Sequence, residues 1–137
     1  MTNGGGKISL ADYKGHNVIL YFYPKDDTPG CTKQACGFRD GFAAFHAKGA
    51  VILGVSPDSV KKHDTFAEKF KLPFRLLADQ DQTIAKAYGA WGEKKFMGRK
   101  YMGVFRVTFL IGPDGKIKKI WPGVKPEGHA AEVLAAL

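Results

Sequence analysis

A cysteine is a nucleophile only as its thiolate, and the stretch Pro24-Lys-Asp-Asp-Thr28-Pro-Gly-Cys31 puts one where ionisation is favoured. Thr28 reads as a helix N-cap, Pro29 as the first helical residue and Cys31 as the third. The free N–H groups and positive potential of a helix start both favour thiolate over thiol. Asp26 and Asp27 oppose this by repulsion, so a strong cation aimed at the sulfur is required. Arg106 is the candidate. It interrupts an otherwise almost wholly apolar strand, on a face shared with Val104, Thr108 and Leu110, and an arginine there needs an anion. Taken singly, each residue has a plainer reading: Cys31 a small hydrophobe, Thr28 only a cap, Arg106 a cation snorkelling from a sheet edge. Taken together, with Cys36 five residues on, they favour thiol chemistry.

The spacing of the two cysteines adds a geometric condition. Residues five apart in an intact helix have Cα atoms roughly 8 to 9 Å apart, and a disulfide needs less than about 7 Å. A Cys31–Cys36 bond therefore requires the first turns of the helix to unwind, and Gly30 and Gly37 lower the cost of doing so. Metal binding is not expected, because C-x4-C is not a zinc spacing and His16, His46, His63 and His129 show no ligand spacing among themselves. The histidines are expected at the surface.

The elements that position these residues follow from hydrophobic patterning. Short apolar runs at Asn17–Tyr23, Ala50–Val55, Phe74–Ala78, Val104–Ile111 and Lys116–Trp121 predict five strands. Amphipathic stretches between the first three are long enough for helical crossovers, whereas Gly112-Pro-Asp-Gly115 makes the last two a hairpin. The plan is α/β with a mixed sheet. Cys31, Ala35, Phe38, Phe42 and Phe45 form one stripe at helical spacing that must face the sheet, with Gly49 as the stop. Cys31 thus lies just beyond the C-terminal end of a buried strand, where open α/β sheets place their sites. Ser56-Pro57 reads as the start of a second helix, with Val60, Phe66, Ala67 and Phe70 on its apolar side and Leu72-Pro73 at its end. Glu127–Leu137 reads as a terminal helix.

With 137 residues, 45% of them hydrophobic and 25% charged, the chain is expected to form one globular domain over residues 1–137. The longest apolar stretch, Val18–Tyr23, is far short of the roughly 20 residues of a membrane span, and the N-terminus resembles no export signal. A cytoplasmic protein with no membrane partner is expected, in which any disulfide is transient or catalytic. The net charge of +8 raises the question of nucleic acid, but the cations are scattered. Only Gly92–Arg106 concentrates them, and Lys94, Lys95, Arg99 and Lys100 read there as a solvated loop with no nucleic-acid motif.

Pro24-x3-Thr28-x2-Cys31 resembles the active-site motif of the peroxiredoxins, and Thr28-Pro-Gly-Cys-Thr-Lys-Gln-Ala-Cys-Gly-Phe-Arg-Asp40 resembles their bacterioferritin comigratory, or Q-type, branch. Trp91–Gly98 and Arg106–Ile111 are similar to that branch too, so the likeness covers nearly the whole chain. It implies a thioredoxin-like fold and a thiol peroxidase acting on hydrogen peroxide and organic hydroperoxides in antioxidant defence. By the same resemblance Cys31 is the peroxidatic cysteine, Cys36 the resolving cysteine that closes an intramolecular disulfide, and Arg106 the guanidinium beside the thiolate. Thr28 is the hydroxyl that bonds the peroxide, and Pro24 shields the pocket. Thioredoxin or a similar dithiol is the implied reductant, a monomer is expected, and no metal or organic cofactor is required. One departure is expected: the branch has a further segment ahead of the residues matching Gly6–Leu10, and here the chain starts at Met1, too late to contain it.

Overall fold

The structure, a computed structural model, describes Thr2, Ile8 and residues 10–137. Gly6, Lys7 and Ser9, where the likeness to the branch begins, lie outside the described residues. The chain runs β1 (Asn17–Phe22), α1 (Pro29–Asp40), α2 (Phe42–Ala47), β2 (Ala50–Ser56), α3 (Val60–Phe70), β3 (Arg75–Ala78), α4 (Thr83–Ala87), β4 (Trp91–Phe96), β5 (Arg99–Val104), β6 (Val107–Ile111), β7 (Ile117–Trp121) and α5 (His129–Ala135). Five strands form a sheet in the order β3-β2-β1-β6-β7. β1 pairs parallel with β2 and antiparallel with β6, β3 is parallel to β2, and β7 is antiparallel to β6. The mixed sheet flanked by helices is the thioredoxin-like arrangement expected.

β1 is apolar throughout because both its faces are buried. Ile19, Tyr21 and Tyr23 enter one core with Phe38, Phe45, Phe66 and Val133 from the helices, and Val18, Leu20 and Phe22 enter a second core on the opposite face. The Cys31–Phe45 stripe faces the first core as predicted, but the helix is not continuous: it breaks at Gly41 between α1 and α2. The third helix starts later than Ser56-Pro57 suggested. Ser59 is its N-cap, accepting from the Lys62 N–H, while the Ser56 hydroxyl donates to Asp58 at 2.6 Å and Ser56 stays in β2.

Two sequence expectations are corrected between residues 91 and 111. The basic stretch is no loop: β4 and β5 form a separate two-stranded hairpin, turning at Met97 and Gly98, both with positive φ. It is mostly exposed, so its strands lack the apolar alternation that marks a half-buried sheet. The expected strand Val104–Ile111 is also divided. Val104 ends the hairpin, Val107 begins β6, and Phe105 and Arg106 form the joint, tied by Phe105 N–H to Ala90 O and by Val124 N–H to Arg106 O. Arg106 therefore sits where the chain passes from one sheet to the other, not on a strand face.

Candidate active site

α1 begins where the chain leaves the C-terminal end of β1. Thr28 occupies the N-cap with extended backbone, Pro29 opens the helix, and the first intrahelical bond runs from Thr32 N–H to Thr28 O at 2.8 Å. Gly30 and Cys31 precede that bond, so their N–H groups belong to the positive end of the helix. Cys31 is 2% exposed. The Arg106 Nη2 donates to its Sγ at 3.2 Å. A Cβ at Gly30 would lie 3.2 Å from that same Nη2, so the approach of guanidinium to helix depends on glycine there.

Sequence reading missed Gln34. It is buried on α1 one turn beyond Cys31, and its Oε1 accepts from Arg106 Nη1 at 2.6 Å. One guanidinium is thus shared between the sulfur and an amide oxygen that fixes its plane. The signal available was a polar residue three positions after Cys31, beside the core-facing stripe. Replacing Arg106 by Lys leaves one mobile ammonium for two acceptors. We expect an intact fold and a peroxide rate lower by roughly tenfold or more, and stopped-flow peroxide consumption with an unchanged rate would reduce Arg106 to a structural residue.

The other expected residues are close by in the chain but differ in geometry. The Thr28 hydroxyl makes no cap; it donates to the Lys25 carbonyl at 2.8 Å, which leaves its oxygen as an acceptor. Pro24 is half-buried. Cys36 is half-buried, and both thiols are free within an intact α1. Beside Arg106 opens a hollow of about 550 Å³, lined in part by Lys94, Phe105, Phe109, Ile120 and Val124. Burial lowers the Lys94 ammonium below its ordinary range, with Arg106 adding to the effect.

Two histidines expected at the surface are buried. His63 is held between Asp26 and the Leu77 carbonyl. His129, at the start of α5, bonds Thr108 Oγ1 through Nε2 at 2.8 Å and Glu132 through Nδ1 at 3.0 Å. Its ring lies edge-on to both Phe38 of α1 and Trp121 of β7. Burial lowers its pKa, against the pull of Glu132, so neutral imidazole is favoured, donating from Nδ1 and accepting at Nε2. Neither histidine was visible as buried, because both partners of His63 and the Thr108 partner of His129 are distant in sequence. Asp26, Asp58 and His63 are the described residues whose potential ligand atoms cluster, within 4.8 Å of one another. Those atoms are engaged in hydrogen bonds: Asp58 Oδ2 accepts from Asp26 N–H and Ser56 Oγ, and Asp26 accepts from the Tyr23 hydroxyl.

The geometry is that of a thiol bonded by a guanidinium at a helix start. The AhpC/TSA family model matches residues 1–120. The putative peroxiredoxin bcp of Coxiella burnetii is 54% identical over 99% of this chain and 90% of its own length. Peroxiredoxin Bcp of Bacillus subtilis is 51% identical over 97% of this chain and 85% of its own. Among solved structures, the bacterioferritin comigratory protein of Xanthomonas campestris, studied for alkyl peroxide reduction, superposes with a TM-score of 0.94 at 42% identity, covering 98% of this chain and 86% of that one. The chain belongs to the AhpC/TSA family, within its Bcp or Q-type peroxiredoxin branch. It is a thiol-dependent peroxidase, with a peroxide as oxidising substrate and a thiol as reductant. Among the described residues, no helix is long and apolar enough to cross a membrane.

Proposed function

We propose that Cys31 is the peroxidatic thiolate and Cys36 the resolving thiol of a cycle that reduces hydrogen peroxide and organic hydroperoxides. The contact that carries this reading is Arg106 Nη2 to Cys31 Sγ at the start of α1. The thiolate attacks one peroxide oxygen, the O–O bond breaks, and the departing oxygen takes a proton to leave as water or alcohol. Arg106 and the helix N–H groups balance the charge that develops on it. Thr28, its own proton committed to Lys25, accepts from the peroxide O–H and orients it. Pro24 shields the pocket from water. The apolar lining beside Arg106 supports room for a carbon substituent, in keeping with the alkyl peroxide reduction studied in the Xanthomonas campestris protein.

The Cys31 sulfenic acid then condenses with the Cys36 thiol, forming the S–S bond and releasing water. Thioredoxin, or a dithiol of its kind, restores both thiols by exchange and is itself oxidised. Both cysteines lie on one helix, so the cycle closes within one chain. The working unit proposed is a monomer of one domain, residues 1–137, in the cytoplasm, without a metal, a nucleic acid or a membrane as partner. Stoichiometric thiol loss on adding peroxide, followed by mass analysis of peptides linked through Cys31 and Cys36, tests the scheme. Cys36→Ser is expected to turn over once and then stall as sulfenic acid or overoxidise; a variant that recycles normally with thioredoxin removes Cys36 from the cycle.

A further inference from the structure

The loop from Pro24 to Thr28 places two carboxylates next to a thiol that must ionise. Both are answered by the same helix. On α3, His63 binds Asp26 through Nδ1, and Lys69 Nζ lies 2.8 Å from Asp27 Oδ2. The two pairs differ in kind: Asp26 and His63 are buried, whereas Asp27 and Lys69 are about half-exposed.

The proton count at His63 follows from its partners. Nε2 faces the Leu77 carbonyl at 2.8 Å, which can only accept, so Nε2 carries a hydrogen. Nδ1 faces an Asp26 oxygen, and that contact also requires one proton, whichever atom holds it. The pair is thus neutral as a unit. Without His63, Asp26 would be a buried anion bonded to the Tyr23 hydroxyl and beside the acidic Asp58, with little water to screen it. Asp26 and Asp27 precede Cys31 by five and four residues, on the loop that leads into its helix. Tyr23 stacks on Tyr21 with ring centres 5.4 Å apart, and burial holds the Tyr21 hydroxyl well above its ordinary pKa, with Asp26, Cys31 and Cys36 adding to the effect and Arg106 opposing it. Among the described residues, the charged and titratable groups near Cys31 include Arg106 in contact, Lys94 beyond it, Tyr21, Cys36 and the loop carboxylates.

We propose that α3 is an electrostatic screen, in which His63 and Lys69 neutralise Asp26 and Asp27 of the active-site loop and so keep the Cys31 thiolate populated. His63 is on this account a positioning residue: it touches no substrate and acts through Asp26. The inference rests on the assignment of Cys31 as the reacting thiol only for its catalytic consequence, since the ionisation of Cys31 can be measured by itself.

The test is the pH profile of Cys31 alkylation by iodoacetamide in full-length Cys36→Ser protein, where Cys31 is the single thiol, with circular dichroism to confirm folding. His63→Gln retains a donor for Asp26 and removes the compensating proton. Its profile is expected to move to higher pH, with roughly three- to tenfold less thiolate at a pH below the midpoint. Asp26→Asn alone is expected not to reduce the thiolate, and the double variant Asp26→Asn/His63→Gln to return it to the parent level. Lys69→Gln shifts the profile the same way by less, and added salt erases that shift because the pair is half-exposed. A His63→Gln profile that coincides with the parent overturns the proposal, as does a double variant still displaced by the full amount, which would trace the effect to packing. Should His63→Gln not fold, Lys69→Gln at low salt decides, and no upward shift there overturns the screen. Peroxide assay of Cys31→Ser separates the two readings: activity retained in that variant removes the catalytic role of Cys31 and leaves the alkylation result standing.

Discussion

Cys31→Ser is expected to lose catalytic peroxide consumption, by on the order of a thousandfold or more, while the protein remains folded. A serine hydroxyl is almost un-ionised at neutral pH even beside a guanidinium, and oxygen has no counterpart of the sulfenic state that carries the oxidising equivalent. The substitution is gentle on the fold. Serine is smaller than cysteine, the Arg106 Nη2 at 3.2 Å finds an oxygen acceptor in place of sulfur, and Gln34 continues to hold the other arm of the guanidinium. Cys36 offers no substitute, because it lies in the second turn of α1, away from the helix start and without the arginine. Steady-state peroxide loss in the presence of excess dithiol measures the effect, and substantial turnover by folded Cys31→Ser protein would falsify the assignment.

Oxidation is expected to melt α1 locally over residues 31 to 38 and to leave the protein less stable than its reduced form. Both cysteines sit inside one intact helix, and their Cα atoms must close from roughly 8 to 9 Å to less than about 7 Å before a disulfide can form. The unwound segment includes Phe38, fully buried and stacked on Tyr21 with ring centres 4.9 Å apart. Its burial is worth about 1.5 to 3 kcal/mol, and Cys31 and Ala35 add to the loss. A disulfide loop as short as Cys31–Cys36 restrains the unfolded chain little, so its compensation is small. Lost packing wins. Amide exchange on reduced and oxidised samples checks this: equal protection over residues 31 to 40 in both states would mean that the bond forms without unwinding, or links other partners.

Patterning was a good guide wherever burial is two-sided. The central strands β1, β2 and β6 and the Cys31–Phe45 stripe are apolar because helices and neighbouring strands cover them, and that coverage is written into residue type, while the exposed edge strand β7 was legible from the Gly112–Gly115 turn before it. The β4–β5 hairpin escaped because it is largely exposed, with Met97 87% exposed at its turn, so charge and not apolar alternation dominates its sequence. The need for a cation at the thiol was legible from Asp26, Asp27 and the misplaced look of Arg106. The reason it can reach the sulfur was not, because that depends on a joint between two sheets which sequence reading joined into one strand. Gln34 and His63 were invisible for a related reason: each is a buried polar group whose partner lies 72 or 37 residues away, and no local pattern records such a pair.

The imidazole of His129, edge-on to Phe38 on one side and to Trp121 on the other, gives the molecule an optical consequence. Trp121 lies on β7, remote in sequence from both cysteines, yet the imidazole packed on it also packs on Phe38, within the segment of α1 expected to unwind. Ala130, next to His129 on α5, faces Gly37 of α1, where a Cβ would lie 3.5 Å from it. When α1 lets go of Phe38, the imidazole keeps its bonds to Thr108 and Glu132 but loses one of its two ring neighbours, so the packing beside the indole is expected to change. The emission of Trp121 is therefore expected to differ between reduced and oxidised protein, and Trp91→Phe protein, in which Trp121 is the single tryptophan, isolates that signal.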